Sequence, residues 1–348
     1  MEIIVELSFL ETIEKEICHY ASKDTFISSK HNKVYVSKSG LELKVSLPRQ
    51  GWKDYFGFSR CLRRLLRLDK CNVALLNDGF IAIRMSKVYR YYFATKELKH
   101  VLTINNCRNV LHQSIAVVNG NEIFFGEYGN NSNQKVAVTV YRSLDGGENW
   151  DKIYQFTPGK IKHIHGCYYD PYEKKIWTLT GDFKGQCYML CSDKDFADVE
   201  WVGDGDQVFR ACNLFFEKDS IHWVMDSQLQ DSYHIEMDRK TREIEKRTVF
   251  AGPVWYIKRL TDGYYLAATA QETGAGVKDE YAHLYASKDL IEWQEIYRFQ
   301  HDGLPKRYFK NGIVSFADGD QDSTSFYFFT EAIKNLDGKI AKCKIIDG

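Results

Sequence analysis

At 348 residues the chain has room for two ordinary domains or one large repetitive one. It is 44% hydrophobic and 14% aromatic, and its 47 basic and 47 acidic residues give a formal charge of +0, which argues against a bulk nucleic-acid or membrane surface. Its nine cysteines are odd in number and scattered without a C-x-x-C pair, so a disulfide framework or a Cys-type zinc site gives way to reduced, mostly buried thiols.

From the N-terminus, "MEIIVELSFLETIEKE" is acidic, and Glu2 and Glu6 interrupt its apolar run, so it does not read as a signal peptide. No stretch approaches the roughly 18 apolar residues of a membrane span, and the expectation is a cytoplasmic protein with no integral membrane segment. "KVYVSKSGLELKVS", 33–46, reads as a strand pair without a complete unit of its own. Residues 1–25 and 50–70 read as additions outside the repeat; within the second, Arg60, Arg63, Arg64 and Arg67 read as the solvated face of a short helix beside a leucine stripe.

Further along, tight-turn signals recur between apolar runs: "NDG" at 77–79, "NG" at 119–120, "DPYE" at 170–173, "EKD" at 217–219, "TDG" at 261–263 and "DGD" at 318–320. Their spacing of roughly 40 to 57 residues is that of propeller blades with loop insertions. Each turn joins two strand-like runs, such as VALL and FIAIRM or NLFF and SIHWVMD, and one or two further strands follow. The prediction is an all-β, six-bladed β-propeller forming one domain over 1–348. The last unit, 313–346, supplies only about three strands, so an N-terminal strand is expected to complete it and remove the sheet edges. Counts of five or seven fit the same turns if the outer strands are assigned differently.

Within the second unit, "YRSLDGGENWDKIYQF" places Ser143, Asp145, Gly147 and Trp150 in the order S-x-D-x-G-x-x-W at the turn between the last two strands. Asp145 can accept from turn amides, Gly147 permits a positive φ, and Trp150 can pack across the hairpin. This resembles the Asp-box of bacterial-neuraminidase (BNR) repeats, found in sialidases and related propellers. "SKDLIEW", Ser287 to Trp293, resembles a shortened copy, and "SDKDFADVEW", Ser192 to Trp201, a lengthened one. The resemblance implies a sialidase-like propeller in a mostly glycan-active superfamily, with the box as a peripheral staple. True sialidases carry an Arg-Ile-Pro motif and three substrate-clasping arginines. This chain has no Arg-Ile-Pro and brings only Arg210 to the expected mouth, so sialidase activity itself is not implied.

Hairpin geometry pairs residues equidistant from each turn and brings the start of one strand and the end of the next to one face. Mirrored pairs are His112 with Glu127, His163 with Gly181 beside Asp182, Arg210 with Ser227 beside Asp226, Trp255 with Ala270 near Glu272, and Lys310 with Glu331. Gln113, His165, Tyr168, Tyr256 and Asn311 adjoin them. In "KHIHGCYYD", His163 and His165 project to one side of a strand, and Gly166 lets another group approach closely. The expected catalytic set is His112, His163, His165, Glu127, Asp182, Arg210 and Glu272. Gln113, Tyr168, Asp226, Trp255, Tyr256, Lys310, Asn311 and Glu331 are expected to bind substrate.

The partner expected from this set is an acidic oligosaccharide or glycoconjugate of uronate or sialate type. The first reading is a glycoside hydrolase using two of these carboxylates as acid and as base or nucleophile. The second is a lyase in which Arg210 neutralises a uronate while a histidine or Tyr168 moves protons. The third is a glycan-binding or scaffolding propeller without turnover. No cofactor and no metal ligand is expected in the first instance; a divalent cation at His112, His163 and His165 is the alternative.

Overall fold

The structure, a computed structural model, describes residues 5–347. Its strands form seven four-stranded antiparallel sheets. The first holds Ile17–Ala21, Thr25–Lys30, Lys33–Lys38 and Leu41–Ser46, and the second holds Asn72–Leu76, Gly79–Arg84, Lys87–Tyr92 and Leu98–Thr103. The third runs Ala116–Val118, Glu122–Gly126, Val138–Ser143 and Asp151–Phe156, and the fourth His163–Asp170, Lys175–Gly181, Cys187–Ser192 and Val199–Gly205. The fifth begins with the two-residue strand Phe215–Phe216 and continues through Ser220–Val224, Ser232–Asp238 and Ile244–Phe250. The sixth comprises Val254–Arg259, Tyr265–Thr269, Tyr281–Ser287 and Gln294–Gln300.

In the seventh, Ile313–Phe316, Phe326–Glu331 and Ile340–Asp347 are completed by Val5–Ile13, which pairs from Val5↔Asp347 to Ile13↔Ile340. The expected closure by an N-terminal strand is therefore present. The blade count is seven, not six. The additional blade is 17–46: the pair at 33–46 is joined by Thr25–Lys30 and, from the segment expected to be an addition, by Ile17–Ala21. Its turn at His31 has a positive φ of 55° without Gly or Asn-Gly to mark it, so the hairpin signal is silent. In contrast Asn119 and Gly120 both take positive φ, 54° and 70°, as their sequence leads one to expect.

The chain divides into two compact units, one of residues 1–70, 226–233 and 247–348, the other of 71–225 and 234–246. In the first, Leu266, Leu284, Phe316 and Phe328 are wholly buried in one apolar cluster; in the second, Phe124, Ile164, Ile176 and Leu190 play that part. These are alternate inward positions of adjacent strands, each contributing roughly 1.5–3 kcal/mol on burial. The helix Arg60–Leu65 corrects the expectation of a solvated arginine face. Arg63 and Arg64 are buried, Arg63 against Glu16 at 2.5 Å and Arg64 against Asp302. Eight of the nine thiols are buried, and only Cys61 is exposed. No helix among the described residues is long and apolar enough to cross a membrane.

The turn after Val138–Ser143 is stapled from within. Ser143 Oγ accepts from Gly147 N at 2.8 Å, Asp145 Oδ1 accepts from Asn149 N at 3.0 Å, and Trp150 Nε1 donates to Gly147 O at 3.0 Å. The turn of 287–293 uses the same scheme: Ser287 Oγ accepts from Leu290 N, and Asp289 Oδ1 from Ile291 N and Glu292 N.

Candidate functional site

In the second unit the fourth sheet begins with a bulge. His163 pairs with Gly181 and Ile164 with Thr180, but the next partner of Leu179 is Gly166, which leaves His165 as the extra residue. The two imidazoles end 5.1 Å apart, with the ring of Tyr128 4.3 Å from that of His163. Gly181 is what permits this crowding: a Cβ there would lie 3.0 Å from His165 Cε1 and 3.2 Å from Arg210 Cγ. Asp182 follows with a φ of 108°, a conformation that costs an ordinary residue about 1–3 kcal/mol and tends to occur at functional sites.

The hydrogen bonds fix the chemistry of the rings. His163 Nδ1 lies 3.1 Å from Gly129 O and His165 Nδ1 2.8 Å from Ala211 O; a carbonyl only accepts, so each Nδ1 carries its hydrogen. The Nε2 atoms then point at one carboxylate oxygen, Asp182 Oδ1, at 3.4 Å and 3.3 Å. Each ring is either an imidazolium held almost out of solvent, or it aims a lone pair at an anion. Burial, with His165 and Lys162 beside it, lowers the pKa of His163 despite the pull of Asp182, which weighs against the charged ring. Among the described residues, the ligand atoms of His163, His165 and Asp182 lie within 4.8 Å of one another. Two imidazole nitrogens and a carboxylate, with each imidazole oriented by a carbonyl behind it, suit a borderline divalent cation.

Two fixed cations stand beside this trio. Lys162 Nζ contacts Asp182 Oδ2, and Arg210 Nη2 lies 3.2 Å from Oδ1. Burial works to raise the pKa of Asp182; the two imidazoles, in their protonated forms, would outweigh it and hold the carboxyl below its usual range. His163, His165, Asp182 and Arg210, expected at one face from the sequence, come together. Lys162 and Tyr128 join them unexpectedly; Lys162, next to His163 in sequence, carries no pattern of its own.

The remaining expected residues take other places. Glu127 is buried, accepting from Thr139 N and from Tyr141 Oη at 3.0 Å each, and burial raises its pKa. Tyr168 donates its hydroxyl to Cys212 O, an approach that Gly166 permits because a Cβ there would strike that hydroxyl. His112 is buried, and Gln113 takes a φ of 59° in the same turn. His112 is absent from the trio: among the described residues the ligand atoms that converge here are those of His163, His165 and Asp182, which makes a metal plausible where none was expected in the first instance.

In the first unit, Lys310 and Glu331 do meet, Nζ to Oε2 at 2.9 Å, but Asp69 Oδ2 closes the group at 2.6 Å and all three are buried. Tyr256 lies in the apolar core, with Trp255 packed against it. Asp226 is buried, and Glu272 and Asn311 are partly exposed.

No family model matches the chain, and no curated protein matches it. Solved structures do. An oligogalacturonate lyase from Vibrio parahaemolyticus is similar over 98% of both chains, with a TM-score of 0.58 and 12% identity. An oligogalacturonate lyase in complex with manganese is similar over 97% of both chains, with a TM-score of 0.53 and 10% identity. The extracellular domain of a putative one component system from B. thetaiotaomicron is similar over 97% of this chain and 39% of that one, with a TM-score of 0.57 and 10% identity. At such identity the likeness speaks for the fold alone: an all-β, seven-bladed β-propeller.

Proposed function

We propose that the chain is a lyase acting on an acidic, uronate-type oligosaccharide, with a divalent cation held by His163, His165 and Asp182. The observation that carries this is the pair of Nδ1-anchored imidazoles aimed at one carboxylate oxygen. Its support from outside is the full-length likeness to two oligogalacturonate lyases, one of them described with manganese. A bound cation would supply Lewis-acid polarisation of the substrate carboxylate.

The chain's own residues do the rest. Arg210 and Lys162 keep positive charge beside Asp182, where a uronate carboxylate would be neutralised and the proton on its neighbouring carbon acidified. Gly129 and Ala211 hold both rings in the Nδ1-protonated tautomer. We assign proton removal to His112, whose neighbour Ser114 accepts through its carbonyl from Cys167 N of the 163–170 strand at 3.1 Å. As that proton leaves, the bond from the next carbon to the glycosidic oxygen breaks, a double bond forms, and the departing oxygen takes up a proton.

The hydrolase reading is less favoured because three of its five carboxylates are engaged: Asp182 by Lys162 and Arg210, Glu331 by Lys310, and Glu127 by Thr139 and Tyr141. The BNR kinship, resting on the residue pattern of the turn at 143–150, and a cytoplasmic setting, resting on composition and free thiols, remain part of the same proposal.

The test is incubation with uronate oligosaccharides, with manganese or with chelator, followed by the absorbance and mass of the product. An unsaturated uronate formed only with the metal supports the lyase; a product heavier by one water returns the hydrolase. His112→Ala should lower kcat by about 10²–10⁴ while manganese binding persists.

A further inference from the structure

The first unit contains a cavity of about 410 Å³ that no step above uses. Its walls carry Lys15, Lys30, Lys33 and Arg49, with Tyr35 and Tyr55. The chain places these cations together by register. Lys30 pairs with Lys33 across the hairpin, Tyr35 lies two residues beyond Lys33 on the same face, and Lys44 sits directly opposite Tyr35. Lys15, from the loop before the first sheet, lays its ammonium 3.3 Å from the centre of the Tyr35 ring, and Arg49 lies 4.8 Å from that of Tyr55.

Among the described residues none of these four cations makes an ion pair. The acids nearby are already engaged. Glu16 is taken by Arg63 at 2.5 Å and Asp54 by His31 at 2.7 Å; Glu14, on the rim, reaches Lys339 at 3.2 Å. Burial, and then Lys30, Lys44 and Lys33, push the ammonium of Lys15 below its usual pKa. Like charges gathered around a hollow repel one another, and an anion entering it relieves that repulsion.

The floor is rigid. His31 and Asp54 are bonded, Gln50 N donates to Asp54 Oδ2 at 2.9 Å, and Asn32 and Leu47 exchange hydrogen bonds of 2.8 Å. At the rim the aromatics are open to solvent, Tyr55 at 65% and Phe58 at 77% exposed. Exposed ring faces beside unpaired cations suit a ligand with both a ring and a negative charge.

We propose that this cavity is a second saccharide site, binding an anionic sugar through Lys15, Lys30, Lys33 and Arg49 with Tyr55 against the ring. The choice of a uronate as the sugar rests on the lyase reading; the anion site itself does not.

The experiment is calorimetric titration of the full chain with a trigalacturonate, its carboxyl-reduced neutral counterpart, inorganic phosphate and oligothymidylate. Each probe is also titrated into Lys33→Glu/Arg49→Glu, Tyr55→Ala and His163→Ala/His165→Ala. Binding that survives in the histidine variant, weakens at least about tenfold on charge reversal and is lost with the neutral sugar supports the site. Tyr55→Ala, fully folded by its thermal transition, should weaken it several-fold. An isotherm unchanged by either cavity variant overturns the proposal, and so does phosphate or oligothymidylate binding there as tightly as the uronide. Cavity-dependent binding without any unsaturated product would sink the lyase and keep the site. Product formation with cavity variants that bind as wild type would do the reverse.

Discussion

The two units each bury a cluster of charge, and the clusters differ in what they leave over. In the first unit Lys310 bridges Asp69 and Glu331, Arg60 reaches Asp69 at 3.1 Å and Asp337 at 2.9 Å, and Arg63 holds Glu16. Each of these contacts sets a cation against a carboxylate. In the second unit Asp182 has Lys162 and Arg210, and then two imidazole nitrogens converge on the same oxygen. The shared carboxylates differ in exposure as well: the Asp69 side chain is 1% exposed and that of Asp182 20%. A network in which every acid is matched by a cation ties chain segments together. One in which two imidazole nitrogens also converge on a single carboxylate oxygen has the donor set of a ligand site, the reading proposed above.

The contrast breaks most sharply on the open side. His163→Ala/His165→Ala should cost at least about a thousandfold in turnover, about 4 kcal/mol of transition-state stabilisation, with little loss of fold. Steady-state kinetics on uronate oligosaccharides, alongside a denaturation curve, measures both. A turnover loss below tenfold would mean that the rings are only packing.

On the closed side the effect should move to stability. Asp69→Asn leaves Lys310 and Arg60 facing a neutral amide and should cost about 3 kcal/mol by chemical denaturation, with turnover per folded molecule unchanged. The pH dependence has a definite sign. Lys310 and Arg60 outweigh the burial that would raise it and hold the pKa of Asp69 well below its usual value. A depressed carboxylate stabilises the fold above its unfolded pKa, about 4, and that contribution is lost as pH falls toward the folded value. Stability measured from pH 6 down to about 2 should therefore fall less steeply in Asp69→Asn than in wild type.

Much of this was legible beforehand, for reasons that mark where it ended. Period-two apolar runs around tight turns, four of them Asn-Gly or Asp-Gly, located six of the blades, because those signals are local. The blade at 17–46 escaped because its hairpin turns at His31, a residue that takes positive φ only where its surroundings enforce it. His163, His165, Asp182 and Arg210 could be gathered by mirroring residues across hairpins. That method assumes an unbroken ladder, so the bulge at His165 was outside its reach. It also could not tell Lys310–Glu331 from Asp182–Arg210, since both read as a cation opposite an acid. The distinction lies in Asp69, some 240 residues away in sequence from Lys310, as the hydrogen bond between them records.

Manganese sharpens the comparison without any substrate. A ligand that binds the folded chain alone, at a concentration a hundred times its Kd, stabilises it by about 2.7 kcal/mol. The thermal transition of wild type should rise with manganese, that of Asp69→Asn should rise equally from its lower starting point, and that of His163→Ala/His165→Ala should not move. An equal rise in all three would place the metal elsewhere.

The smallest expected effect belongs to a residue outside both clusters. Gly147 sits at φ 91°, and a Cβ there would come within 2.9 Å of Ile81 Cγ2. Gly147→Ala should therefore cost about 1–2 kcal/mol from the left-handed backbone, plus whatever Ile81 must yield. The bonds from Gly147 N to Ser143 and from Trp150 to Gly147 O would strain, loosening one turn. Neither manganese binding nor the acid slope should change, because no charged member of either cluster lies in that turn. If Gly147→Ala also abolished the manganese shift, the loss seen in the histidine variant could be put down to general loosening of the second unit, and the open cluster would lose its claim to a specific ligand.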